Sequence, residues 1–221
     1  VIDNISLTDL LIQRYPVLAN ALDSINALAG LMLSTALSGG TIFTCGNGGS
    51  ASDADHIAGE LVKGFLLPRP LGGDLRKLIS SAVASGMIDP GAAARLVKDL
   101  QTPVRALSLC SNQALLTAIM NDQGPDMVFA QQLLSQCKDG DLLICLSTSG
   151  RSPNVLAAAT LAKILGAQVA ALTGPGDCPL DEHCSVVVHA PGTDAGQIQD
   201  LHRPIYHALC AFVEKSLFGQ A

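Results

Sequence analysis

From Leu7 to Leu33, apolar residues recur at spacings of three and four (Leu7, Leu10, Leu11, Tyr15, Leu18, Leu22, Ile25, Leu28, Leu31, Leu33). This spacing predicts one or two helices over about residues 5–38, broken or bent near Pro16 and ended by Gly39-Gly40. The apolar positions cover more than one narrow face, so this segment is expected to pack on a second subunit as well as on its own sheet. The pattern then changes. Thr41-Ile42-Phe43-Thr44-Cys45 reads as a buried strand, followed by a glycine turn and a helix to about Phe65. Leu67 to Gly73 reads as loop, and about 72–101 as two short helices around an Asp89-Pro90 break. Further strands are expected at Val104–Cys110, Leu142–Leu146, Gln168–Thr173 and Ser185–His189. Between and after them the spacing predicts helices through Leu115 to Met120, from about Asp126 to Cys137, behind Pro153, and from Gln197 to Phe218. Near-continuously apolar strands alternating with helices indicate an α/β fold, a parallel sheet with helices on both faces.

In such a sheet ligands bind beyond the carboxyl ends of the strands, and two unusual turns lie there. The first, Gly46-Asn47-Gly48-Gly49-Ser50, can take φ > 0 and leave backbone N–H groups open to an anion, with Ser50 expected to cap the next helix. That helix carries His56 and Glu60 one turn apart on one face. The loose G-x-G-x-x-A match of Gly46 to Ala51 also fits a dinucleotide fingerprint. However, a second strand ending in an acidic residue should follow about 20 residues on, and here that distance falls in helix and loop. The second turn, Ser147-Thr148-Ser149-Gly150-Arg151-Ser152, offers four hydroxyls and a helix N-terminus to phosphate oxygens; its plain alternative is an N-cap with surplus serines. Near the C-terminus, Gln199 and His207 are eight residues apart, which returns them to roughly the same helix face, with His202 off that face.

Composition narrows the functional classes. Of 221 residues 48% are hydrophobic and only 14% charged, a length that reads as a single domain over 1–221 and a balance that points to surface hidden in an oligomer. Net charge is −6 and the 13 basic residues form no cluster, which excludes an electrostatic footprint for nucleic acid or an anionic membrane. Seven cysteines without a CxxC, several in apolar strand-like runs, fit reduced thiols in a cytoplasmic protein. Val1-Ile2-Asp3-Asn4 lacks the basic region of a signal peptide, and Asn20, Asp23 and Asn26 interrupt the apolar stretch after it, so no membrane span is expected. No G-x-S-x-G elbow supports a serine hydrolase.

With GNGGSASDADH, LSTSGRS and QDLHRPIYH in this order, the chain resembles the sugar isomerase (SIS) domain family, and within it the phosphoheptose isomerases. The resemblance runs from the N-terminal helices to Phe218. It implies a flavodoxin-like sheet, a homotetramer with sites where subunits meet, and aldose-ketose isomerisation of a phosphorylated sugar, sedoheptulose 7-phosphate foremost. By motif match, Ser50, Ser147, Thr148, Ser149 and Ser152 would hold the phosphate, Asn47 and Gly48 would line the first turn, and Asp122 would lie near the sugar hydroxyls. Glu60 matches the base and His207 the acid. His56, Glu60, Gln199 and His207 match zinc ligands of the family, with Gln199 also at the substrate. Three features depart from the pattern: the helical segment 72–101 is longer than usual, Pro204 stands between Gln199 and His207, and Gly196-Gln197 replaces an Asp-Arg pair. The alternatives are a non-catalytic phosphosugar-binding regulator and an isomerase of another phosphoketose.

Overall fold

The break expected near Pro16 divides the N-terminal segment into three pieces. In the computed structural model, which describes residues 7–219 with side chains from residue 10, helix α1 (Leu7–Arg14) leads to a 3-10 helix (Pro16–Ala21) and then to α2 (Leu22–Leu37). The expected start of this segment at residue 5 and the reading of Val1 to Asn4 lie outside the described residues. Ser38 ends α2, and Gly39 turns the chain at φ +74°, a conformation that suits glycine. Next come β1 (Ile42–Gly46), α3 (Gly49–Val62), α4 (Gly73–Ala84), α5 (Pro90–Asp99) and β2 (Ala106–Ser108). They are followed by α6 (Gln113–Asp122), α7 (Ala130–Gln136), β3 (Leu142–Ser147), α8 (Pro153–Ile164), β4 (Gln168–Thr173), β5 (Val186–His189) and α9 (Ala195–Phe218). The helix expected from Asp126 is split, with a 3-10 turn at Pro125–Met127 before α7.

The five strands form one parallel sheet in the order β2-β1-β3-β4-β5, the flavodoxin-like order. Alternation along the strands sends side chains to two cores. Ile42, Leu142, Ile144, Leu146, Ala170 and Leu172 meet α1, α2, α3 and α9 on one face. Phe43, Cys45, Leu143, Cys145, Val169 and Ala171 meet α6, α7 and α8 on the other. Pro16–Leu37 is long and apolar enough to cross a membrane by length and composition, but Leu18, Ile25, Leu28 and Met32 are fully buried in the first of these cores. All seven cysteines are free, and Cys45 and Cys145, paired across β1 and β3, keep their sulfurs 4.0 Å apart.

Helices α4 and α5 leave and rejoin the fold at a closed neck. Pro70 and Gln101 form an antiparallel bridge, and Thr102 donates its N–H to Arg69 O and its hydroxyl to Pro70 O, each at 2.8 Å. Asp89 caps α5 by accepting from Gly91 and Ala92 N–H, so the Asp-Pro pair begins a helix as well as breaking one. No side chain of α4 is buried and only Ala93 of α5 is, so the excursion adds little to either core.

Candidate active site

The strand order reverses direction between β1 and β3, and the two polar turns leave these neighbouring strands at that switch point. They are tied together. Asn47 of the first turn and Asn154 of α8 exchange two amide hydrogen bonds, at 2.9 and 3.0 Å. Asn154 is therefore a site residue that the motif reading missed. In the first turn Gly48, at φ +57° and ψ −120°, occupies the N-cap position of α3, a conformation that L side chains rarely adopt. Ser50 is not the cap expected from sequence; it lies inside the first helical turn, buried, with its backbone packed so closely on Gly46 that a Cβ there would meet Ser50 O at 2.7 Å.

In the second turn Ser147 and Ser152 bring their hydroxyls within 3.2 Å, and Ser149 Oγ accepts from Arg151 N–H at 3.3 Å. Thr148 is half-buried and its carbonyl accepts from Gly174 N–H. Ser152 is the N-cap of α8 but makes no side-chain cap bond, and Pro153 occupies the first helical position. Gly150 turns at φ +61°, and a Cβ on it would collide with Cys178 Sγ. Asp122 ends α6, exposed, and is touched by Asn121 at 2.8 Å. A cleft of about 330 Å³ opens beside the first turn between Asn47, Gly48, Cys110, Met120, Phe129 and Asn154.

Further along α3 the predicted base meets its neighbours. His56 Nε2 lies 3.1 Å from Glu60 Oε1 and 3.3 Å from His207 Nε2 of α9, so three of the four predicted metal ligands form one cluster. Lys63 donates to the other Glu60 oxygen at 3.0 Å. Phe65 stacks on the His207 ring at 5.6 Å and 28° between planes. Burial, and then the neighbouring His56 imidazole, lowers the pKa of His207 against the pull of Glu60, which favours its neutral ring. Behind His56, Tyr206 donates to Asp53 Oδ1 at 3.1 Å and faces His56 Nδ1 at 3.3 Å. Burial, reinforced by Asp53, pushes the phenol up to about 12.

Gln199 sits elsewhere along the same helix pair. Its amide rests where a Cβ on Gly49 would stand, with Oε1 2.7 Å from that position, so residue 49 must be glycine for Gln199 to lie there. Gln199 thus faces the start of α3 and His207 a point two turns further along it. Helix α9 begins at Ala195, two residues before the expected Gln197, and runs unbroken through Pro204. The carbonyl that Pro204 leaves unbonded belongs to Asp200, which is exposed to water.

As a donor set, two imidazoles and a carboxylate suit zinc. The contacts of 3.1 and 3.3 Å match the spacing of adjacent ligands around a tetrahedral ion with bonds of about 2.0 Å. A carboxylate oxygen and an imidazole lone pair this close also repel unless a proton or cation lies between them. As the side chains stand, however, no group of three His, Cys, Asp or Glu among the described residues is arranged to hold a metal ion.

The SIS domain profile matches residues 13–89 and 93–174. The chain belongs to the SIS domain family. It is 34% identical over 200 residues to the phosphoheptose isomerase of Rhodospirillum rubrum, covering 90% of this chain and 89% of that protein. The phosphoheptose isomerase of Akkermansia muciniphila is 32% identical over 207 residues, covering 94% and 93%. Among solved structures, the phosphoheptose isomerase of Neisseria gonorrhoeae superposes with a TM-score of 0.71 at 28% identity, covering 93% of each chain. That of Francisella tularensis gives 0.70 at 27%, covering 93% and 92%. Similarity to phosphoheptose isomerases over nine-tenths of its length makes this chain an enzyme of the phosphosugar isomerase type, with the fold and the two turns that the sequence motifs implied.

Proposed function

We propose that this enzyme interconverts sedoheptulose 7-phosphate and a heptose 7-phosphate through an enediol, with Glu60 as base and His207 as acid. The observation that carries the reading is the cluster in which Glu60 and His207 both approach His56 while two phosphate-type turns open at the switch point. An aldose-ketose exchange moves a proton between adjacent carbons, which a carboxylate can take and return. The neutral His207 ring carries one N–H and one lone pair, the two functions needed to deliver and remove a proton at the neighbouring oxygen. Lys63 holds Glu60 from the side away from His56, and Phe65 fixes the plane of His207. The serine turn binds the phosphate at the far end of the sugar, and this binding energy positions the reacting carbons.

Zinc is part of the proposal, held by His56, Glu60 and His207 and, if its amide leaves Gly49, by Gln199. Such an ion would polarise the sugar oxygens and orient them. A homotetramer with shared sites is proposed as well. Ser50 and Glu60 stand ten residues apart on α3, about 15 Å along its axis. This separation favours serine turns of one copy serving Glu60 and His207 of another. The seven free thiols are consistent with a reducing, cytoplasmic setting.

Turnover of sedoheptulose 7-phosphate by purified protein, before and after chelation and after added zinc, tests the reading. Activity lost on chelation and restored by zinc supports enzyme and metal together. Activity indifferent to metal keeps the isomerase and removes zinc. No turnover in any condition removes this substrate, and other phosphoketoses follow.

A further inference from the structure

The first turn offers the rest of the fold a single side chain to hold it by. Strand β1 ends at Gly46 and α3 begins at Gly49, and of Gly46, Asn47, Gly48 and Gly49 only Asn47 has a side chain. Glycine loses more conformational freedom on folding than any other residue, so a turn built this way is costly to keep in one shape. Its inner bonds run from Ser50 N–H to Asn47 O at 3.0 Å and from Ala51 and Ser52 N–H to Gly48 O at 3.1 and 3.3 Å. The N–H groups of Gly48 and Gly49 come before these and open α3 without an intrahelical acceptor.

The Asn47 side chain is held from the other turn. Asn154 is the second residue of α8, behind the N-cap Ser152 and behind Pro153, whose ring fixes its own backbone angle. Asn154 is therefore placed by the serine turn and its helix. Its amide donates to Asn47 Oδ1 at 3.0 Å and accepts from Asn47 Nδ2 at 2.9 Å. Two opposed bonds between planar groups set both their distance and their plane, and each amide keeps one further N–H and one further lone pair. We propose that Asn154 is a positioning residue that, through the Asn47 amide, holds the Gly48 and Gly49 N–H groups toward the phosphate bound by the serine turn. Without it the glycine turn is free to swing those donors away, and part of the binding energy of the phosphate goes into ordering the turn again. The inference deepens the isomerase reading and rests on its phosphate site.

The test is a double-mutant cycle on the full chain: Asn154→Ala, Asn47→Ala and the two together. Each protein is read by KM and kcat for sedoheptulose 7-phosphate and, apart from any sugar, by calorimetric titration with inorganic phosphate. Asn154→Ala should raise KM and weaken inorganic phosphate about 5-fold to 30-fold, the effect of two lost hydrogen bonds, with kcat within about twofold of wild type. Alanine is the better helix former, so stability to urea should not fall. Because Asn154 acts through Asn47, adding Asn154→Ala to Asn47→Ala should change neither constant further. Unchanged phosphate affinity in Asn154→Ala, or losses that add in the double variant, overturns the proposal. Should Asn154→Ala fold poorly, Asn154→Leu keeps a similar volume without polar atoms, and wild-type phosphate affinity there overturns it equally. If the wild type binds inorganic phosphate but turns over no sedoheptulose 7-phosphate, the substrate assignment fails while the cycle in phosphate affinity still decides the role of Asn154. A wild type that binds no phosphate removes the phosphate site and this proposal with it.

Discussion

Replacing Glu214 by Gln should unfold this protein far more readily than so small a change in shape suggests. The two carboxylate oxygens of Glu214 accept from four donors: Phe65 N at 2.7 Å, Leu66 N at 2.6 Å, Leu67 N at 3.0 Å and Arg69 Nε at 2.8 Å. Arg69 in turn donates to Leu61 O at 2.6 Å and Glu60 O at 3.0 Å, carbonyls of the last turn of α3 that lack helical partners. Both side chains are wholly buried. Burial raises the proton affinity of Glu214, but the N–H groups of Phe65 and Leu66 and the Arg69 guanidinium outweigh it, and the pKa is lowered overall. Glutamine offers one acceptor oxygen, turns its NH2 group toward N–H donors, and leaves the Arg69 charge uncompensated in the core. Removing one partner of a buried pair costs about 3–5 kcal/mol. At this chain length that is a Tm lower by roughly 6–20 °C. Urea unfolding followed by circular dichroism at pH 7 measures the loss directly, and a double variant, Arg69→Met with Glu214→Leu, should recover only the part due to the unpaired Arg69 charge, because the N–H groups of Phe65, Leu66 and Leu67 stay without their acceptor. A Glu214→Gln protein within about 1 kcal/mol of wild type would refute the argument. The change should reach the site as well, because Phe65 is held by Glu214 through its N–H and stacks on His207 through its ring.

Glu60→Gln should lower isomerase kcat about 10²-fold to 10⁴-fold while leaving the fold intact, and near wild-type turnover would remove Glu60 as base. Gly150→Ala should raise KM for sedoheptulose 7-phosphate, because the new Cβ must displace Cys178 and strain a φ of +61°; an unchanged KM would separate this turn from phosphate binding. His202 is buried with Nε2 donating to Thr173 O and Nδ1 unpartnered; burial lowers its pKa, against smaller opposing effects of Thr173 and Asp53. The unfolded chain then takes up this proton first, so stability should fall with a slope of up to about 1.4 kcal/mol per pH unit as pH drops below about 6.5, flattening beneath the lowered folded pKa. Urea titrations at several pH values should show that slope reduced in His202→Leu. Replacing residues 72–100 by Gly-Gly should leave a cooperatively folding protein, since Pro70 and Gln101 are already paired across the neck; an aggregated product would show that α4 and α5 support the core.

How much of the site was legible depended on distance along the chain. Glu60 follows His56 by one helical turn, so their meeting at 3.1 Å follows from helix geometry alone. The two turns could be recognised because glycine and serine clusters interrupt long apolar runs at strand ends. The reach of α9 to α3 was legible only through the motif resemblance, and the Asp53–Tyr206–His56 contacts not at all, because they join residues about 150 positions apart. Arg69 and Glu214 are 145 residues apart, and no local pattern signals that the fold buries them together. The amide exchange between Asn47 and Asn154 spans 107 residues and carries no local signal either. Ser50 was misread as a cap because serine often caps, whereas here Gly48 supplies the backbone angle and the helix begins at Gly49.

Hydrophobic period and turn chemistry in the sequence therefore determined the α/β class, the run of strands and helices, and the helix that carries His56 and Glu60, because these depend on neighbours within a few residues. Only the tertiary structure decided which charges are buried, which nitrogen of His56 faces Glu60, and where the Gln199 amide rests, because each is set by a side chain from a remote helix. Sheet order and helix packing bring those partners together, and no local pattern encodes the distance between them.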